Sequence, residues 1–157
     1  MARKSKKRLG FSLLEMMLVV VIIGLVAAIA IPRLSRGAAG AADSALAGNL
    51  AVLRDAVDRY STEHNGTYPT VAAFSNQLSQ YSSLGGATAA SKTDGNYAYG
   101  PYLRKVPALP VGANKGNTGI GASAGTGVGW IYDAATGNIS ASCTTETDTA
   151  GVLYTTY

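Results

Sequence analysis

The sequence predicts an α+β protein in which a long N-terminal α-helix, membrane-spanning in its first half, packs on a small antiparallel β-sheet domain. Three observations carry that expectation. An apolar run extends from Phe11 to Ile31 with one charged side chain, Glu15. A stripe of Leu46, Leu50, Leu53, Val57 and Tyr60 advances by 4, 3, 4 and 3 residues, the spacing of one helix face. The remainder is rich in Gly, Ser, Thr and Tyr and carries alternating segments separated by turn residues.

The apolar run is 21 residues long, and a bilayer core takes about 20 residues of helix. No second segment is comparable, so one crossing is expected. Of 13 basic residues in the 157, five lie ahead of the run: Arg3, Lys4, Lys6, Lys7 and Arg8. Such a leader stays on the cytoplasmic side, which places everything after Ile31 across the membrane. The rest of the chain carries 8 basic against 9 acidic groups, so the net charge of +4 reports the leader and no nucleic-acid surface. Four regions follow: a basic leader over 1–10, a spanning helix over 11–31, an amphipathic continuation over 32–65 and a β-rich head over 66–157.

Pro32 removes a backbone donor, and Gly37 and Gly40 weaken the next turn. The helix therefore either breaks or continues with a kink. A continuous helix from Phe11 to His64 would be about 80 Å long at ~1.5 Å per residue. Asn65-Gly66 supplies a stop, since both residues accept the left-handed cap conformation. Beyond it, Gly129–Asp133 and Asn138–Cys143 read as a hairpin turning at Ala134–Gly137. Val152–Tyr157 reads as a further strand and Tyr97-Ala98-Tyr99 as another. Val111–Gly129, with seven glycines, reads as a mobile surface loop.

Catalytic constellations are not apparent. His64 is the sole histidine and Cys143 the sole cysteine, so neither a His/Cys metal set nor an intrachain disulfide can be assembled, and no sequence pattern points to a Cys/His pair. His64, beside Glu63 and Asn65 at the expected helix end, suits a solvated or capping role. Gly119-Ile120-Gly121-Ala122-Ser123-Ala124 matches a loose dinucleotide pattern, but no strand-turn-helix unit surrounds it. Asp133, Asn138, Glu146 and Asp148 offer oxygen ligands of the kind calcium takes, without EF-hand spacing; Asp133 and Asp148 are the candidates. No other cofactor is expected, and the chain reads as a non-enzyme.

Glu15 poses the sharpest question. A carboxylate at mid-membrane costs about 2.5–3.5 kcal/mol on insertion scales; Glu15, near the cytoplasmic end, could instead reach the interface at a lower cost. A functional reading needs a partner charge at the same depth, and no Lys or Arg lies between Phe11 and Ile31. A cut between Gly10 and Phe11 would create a partner, the α-amino group of Phe11. In a bundle of such helices, the amine of one chain would meet Glu15 of the next. The pairing would offset the burial of both charges and set the axial register between subunits.

Gly10-Phe11-Ser12-Leu13-Leu14-Glu15 after a short basic leader resembles the class III signal of type IV prepilins and type II secretion pseudopilins. Gly24 and Pro32 match the helix-breaking positions of that family. The segment from Asn49 to Tyr60 and the Gly66-Thr67-Tyr68-Pro69 turn are similar to the major, G-type pseudopilins, as are Pro101–Pro107 and Gly129–Asp133 with Thr136-Gly137. The acidic C-terminal loop that binds calcium in that class is not evident, and the disulfide-bounded loop of type IVa pilins is impossible with one cysteine.

The resemblance implies a pilin-like fold and a structural subunit of a filament assembled from the bacterial inner membrane, most closely a type II secretion pseudopilus. It implies cleavage after Gly10 by a membrane prepilin peptidase, N-methylation of Phe11, and a docking role for Glu15. Implied partners are further copies of the chain, meeting through their N-terminal helices, together with membrane lipid, minor pilins or pseudopilins, and an inner-membrane assembly platform with its ATPase. The N-terminus would be cytoplasmic, and the head periplasmic or extracellular. Three other readings remain at this point. The chain could build a type IV pilus for adhesion, motility or DNA uptake. It could be a secreted binding protein, with Ala28-Ile29-Ala30 as an ordinary signal-peptidase site. It could also be a single-pass anchored domain that never polymerises.

Overall fold

A computed structural model of the chain describes residues 10–92 and 96–157. The five leader cations fall outside the described residues. The chain divides into two compact units, one ending at Ala38 and one running from Ala39 to Tyr157. A single helix, α1 (Leu13–Glu63), contributes to both.

In the first unit α1 is built mostly from Leu, Met, Ile, Val and Ala, and its large apolar side chains from Leu13 to Leu34 are exposed, as is Phe11 ahead of it. It is the one described helix long and apolar enough to cross a membrane. Neither Gly24 nor Pro32 breaks it: α1 is continuous, with Pro32 inside. The positions that resemble the family's helix breaks therefore do not break this helix, and of the two outcomes left open at Pro32 it is the continuation that is found. Proline forfeits one bond, its own to the carbonyl four residues back. Good helix formers flank the gap, Ala28 and Ala30 before it and Arg33, Leu34 and Arg36 after it, and carry the helix across.

The second unit is organised by the predicted stripe. Leu46, Leu50, Leu53, Val57 and Tyr60 are all buried, joined by Ala56, and form a core with Phe74, Leu78, Leu109, Trp130, Tyr132 and Ile139. The helix ends where expected. Asn65 and Gly66 adopt φ of 55° and 80°, and the Gly66 amide donates to the Ser61 carbonyl at 2.8 Å, the six-to-one bond of a Schellman cap. His64 is not solvated as one reading of the sequence held; it is 1% exposed. Its ring stacks on Tyr60 with centroids 3.7 Å apart. Nδ1 lies 2.8 Å from the Tyr60 carbonyl, and Nε2 lies 3.0 Å from the Ser83 carbonyl and 3.1 Å from the Ser82 hydroxyl. The imidazole thus satisfies a last-turn carbonyl and pins the following chain to the helix end, a capping role carried out inside the core.

Helix α2 (Phe74–Ser79) leads into a two-stranded antiparallel sheet of β1 (Tyr81–Ser82) and β2 (Thr88–Ala89). A second sheet has the order β3 (Gly119–Gly121), β4 (Val128–Tyr132) and β5 (Ile139–Ala141). β4 and β5 form the predicted antiparallel hairpin, whereas β3 pairs with β4 in parallel, so this sheet is mixed. The glycine-rich stretch is therefore not wholly loop, and the dinucleotide-like Gly119–Ala124 begins with a strand. Tyr97-Ala98-Tyr99 supplies only an isolated bridge from Tyr99 to Ser82, and Val152–Tyr157 only a bridge from Leu153 to Thr147 followed by a 3-10 turn at Tyr154–Thr156. In that last segment the tyrosine hydroxyls bond to carboxylates, which overrides strand propensity.

Contacts between loops and core orient the rest. Trp130 Nε1 donates to the Pro107 carbonyl at 2.8 Å, and the Tyr132 hydroxyl to the Pro69 carbonyl at 3.1 Å. The Tyr68 ring packs over Gly137, whose φ is 77°. Arg54 reaches the carbonyls of Ile139 and Tyr157 at 3.2 and 2.6 Å. The glycines of the parallel pair serve close approach: a Cβ on Gly119 would collide with the Gly127 carbonyl, and one on Gly129 with the Asn117 carbonyl. Gly129→Ala is therefore expected to destabilise the second unit by about 1–3 kcal/mol, as overpacking does. Gly116→Ala, where a Cβ meets open space but φ is 92°, incurs backbone strain alone. Thermal melting of both variants checks the difference.

Candidate functional site

The segment Gly10–Glu15 carries the residues singled out for processing and assembly. Gly10, Phe11 and Ser12 precede the helix and are exposed, so the Gly10–Phe11 bond lies in accessible, non-helical backbone. A Cβ at Gly10 would meet nothing within 4 Å. Ser12 opens α1: its hydroxyl accepts the amides of Leu14 at 3.2 Å and Glu15 at 3.4 Å, and its carbonyl accepts the Met16 amide. Glu15 reaches back, with Oε2 3.1 Å from the Ser12 amide nitrogen. This is a reciprocal capping box, Ser-x-x-Glu. It aims the only carboxylate of the apolar segment at the helix start, one residue from the nitrogen that cleavage would free. An anionic side chain in the first turn also lies at the favourable end of the helix dipole.

The calcium candidates do not come together. Asp133 Oδ1 accepts the Ala135 amide and Oδ2 the Thr136 hydroxyl, at 2.9 and 2.7 Å, closing the turn of the hairpin. Asp148 Oδ1 accepts the amides of Ala150 and Val152, both at 2.8 Å, and Oδ2 the Tyr157 hydroxyl. Glu146 accepts the Ala113 and Thr145 amides at 2.9 and 3.3 Å. Asp43, 9% exposed, accepts the Tyr154 hydroxyl at 2.7 Å and the Thr149 amide and hydroxyl at 3.1 and 2.9 Å. Among the described residues no three His, Cys, Asp or Glu side chains converge as a metal-ligand set. Burial pushes the Cys143 thiol up to about 11, which keeps it protonated and unreactive.

A model of the prokaryotic N-terminal methylation motif matches residues 5–31. Type II secretion system core protein G of Escherichia coli K12 is 34% identical over 110 residues, 70% of this chain and 71% of that protein. The Klebsiella pneumoniae core protein G is 31% identical over 109 residues, 69% of this chain and 73% of that protein. The chain belongs to the core protein G family, the major pseudopilins. It is a structural subunit of a pilin-like filament, and the family is one of building blocks, not of enzymes. The core protein G of Vibrio cholerae is similar to the same degree, 30% identical over 110 residues. No solved structure matches the pseudopilin.

Two residues of this pseudopilin escaped the sequence reading. Ser12 was visible in principle, because Ser-x-x-Glu ahead of an apolar run is a helix-start signature. Asp43 was not, because its partners Thr149 and Tyr154 lie more than a hundred residues away.

Two expectations follow. Ser12→Ala removes the acceptor for two first-turn amides and costs about 1 kcal/mol of local helix stability, so hydrogen exchange at Leu14 and Glu15 should quicken about fivefold in detergent micelles. The second concerns pH. Asp43 is held below the ordinary carboxylate range by the Tyr154 hydroxyl first, Asp148 by the Tyr157 hydroxyl first, and Glu146 by the Ala113 amide first. Depressed folded-state values mean that the unfolded chain binds these protons first on acidification. Their stabilisation is complete above about pH 4.5 and is lost as pH falls through the folded values. Melting temperature measured against pH should be flat near neutrality and drop below about pH 4.

Proposed function

We infer that the chain is the precursor of a type II secretion pseudopilus subunit, inserted once in the inner membrane with its leader cytoplasmic and its β-rich unit periplasmic. The observation that carries this reading is the capping box. In the exposed apolar segment Phe11–Ile31, otherwise free of charge, the one carboxylate is turned back toward the helix start, beside the Gly10–Phe11 bond.

A prepilin peptidase cuts after Gly10, where the backbone is non-helical and accessible, and methylates the Phe11 amine. The new amine and Glu15 then form the charge pair between neighbouring subunits. Lipid is as apolar as the helix, so transfer from bilayer to filament gains little from hydrophobicity; van der Waals packing and the pair supply the selectivity. Gly24 and Pro32 mark where the continuous helix yields most easily when packed. An assembly platform with its ATPase extracts the subunit, and minor pseudopilins share the filament. The head carries out no catalysis.

Mass spectrometry of the mature protein tests the reading. The expected N-terminus is methylated Phe11. A chain retaining the leader would overturn processing, and one beginning at Ile31 would establish an ordinary signal peptide. Gly10→Ala should slow cleavage mildly at most, and Gly10→Leu should block it. Glu15→Leu should insert as well as the wild type or better, because it removes a carboxylate whose cost is about 2.5–3.5 kcal/mol at the bilayer centre and smaller this near the segment's start. It should nevertheless assemble poorly; filaments of normal abundance, counted by electron microscopy, would rule out the charge pair.

A further inference from the structure

The resemblance to the G-type class carries an expectation of calcium in the C-terminal loop, and the donor chemistry here does not fit it. A carboxylate offers about four lone-pair directions. Three are filled on Asp43, by the Tyr154 hydroxyl and by the amide and hydroxyl of Thr149. Three are filled on Asp148, by the amides of Ala150 and Val152 and the hydroxyl of Tyr157. Both Glu146 oxygens face amides. Every one of these partners is an N–H or O–H group with the positive end of its dipole directed at the oxygen. Calcium needs 6–8 oxygens at about 2.3–2.6 Å with their negative ends inward, so it would have to evict these donors and face them. The loop is also closed without it. The Asp148 amide donates to the Val152 carbonyl at 2.8 Å, the Tyr154 amide to the Glu146 carbonyl at 3.1 Å, and Leu153 bridges Thr147.

We propose that this pseudopilin fastens its C-terminal segment to α1 by hydrogen bonds that Thr149 and Tyr154 donate to Asp43, and closes that segment on itself by the bond that Tyr157 donates to Asp148, in place of a calcium ion. Asp43 is the anchor, because it alone of these acids belongs to the helix and is buried in the core. The Tyr154 hydroxyl stays protonated and able to donate, because burial, and then Asp43 itself, push its pKa up. Stability, and with it the supply of assembly-competent subunits, is therefore independent of calcium.

The inference rests on family membership but not on the processing reading, which the mature N-terminus decides separately. The test uses the full chain in detergent micelles, melted in millimolar calcium chloride and in millimolar EGTA. The two melting temperatures should agree within about 1 °C, and calorimetric titration with calcium should show no saturable heat. A rise of several degrees in calcium would overturn the proposal and leave the filament assignment standing. Tyr154→Phe keeps the ring and deletes one donor, so it should lower the melting temperature by about 3–6 °C, equally in both buffers. No loss, or a loss that calcium restores, counts against the clasp. Asp43→Asn keeps one acceptor oxygen and should fall in the same direction without calcium rescue, whereas rescue would show that the site is a metal site.

Discussion

A lone carboxylate in the exposed apolar segment of α1 is the constraint around which the N-terminal unit is arranged. In hydrocarbon such a charge is costly without a partner, and the chain around it supplies no cation from Phe11 to Ile31. In the uncleaved chain the local solution is the Ser12 amide. That contact is neutral on one side and leaves the negative charge uncompensated. A positive group at the same depth would be a better partner, and the cleavage proposed before Phe11 would generate one. The capping box thus holds the helix start in order and keeps the carboxylate oriented toward that place.

The second unit answers a different problem. It has one cysteine, buried, and no bridge available from it. Its stability rests on a core centred on Trp130, Tyr60, Tyr132 and Phe74, and on polar groups that are paired where they are buried. The α1 stripe provides one wall of that core. Arg54, Asp43 and Asn49 then extend from the same helix to distant carbonyls and hydroxyls, at Ile139 and Tyr157, at Thr149 and Tyr154, and at Ala108. One helix supplies both an apolar face and a row of polar ties to the ends of the chain that packs on it. This division of labour explains how a unit with short strands, the longest five residues, keeps a defined structure: the sheet is carried by side-chain bonds to the helix as much as by its own ladder.

The acidic residues show why composition is a poor guide to metal chemistry. Oxygen ligands near the end of the chain suggest a cation when counted, yet each is committed to a donor close at hand or across the fold. Asp133 closes a hairpin turn, Asp148 organises a loop, Glu146 ties that loop to Ala113, and Asp43 holds the whole to the helix. Distribution over four separate structural roles is what prevents them from serving as one ligand set.

What the sequence determined by itself was everything governed by local period, propensity and short-range chemistry. The apolar length of the first helix, its stripe in the second unit, the Asn65-Gly66 stop and the β4–β5 hairpin all depend on residues within a few positions of one another, as does the prepilin signature ending at Glu15. What only the tertiary structure decided were the pairings between segments far apart. The glycine-rich stretch yields a parallel strand because Gly119 and Gly129 let two backbones approach, which no period announces. The final tyrosine-rich segment turns instead of extending because its hydroxyls find Asp43 and Asp148. His64 is buried because Tyr60 and the Ser82-Ser83 backbone close over it. Hydrogen-bond partners across a hundred residues leave no local mark, since their benefit exists only after the chain has folded and the donors have lost water as an alternative.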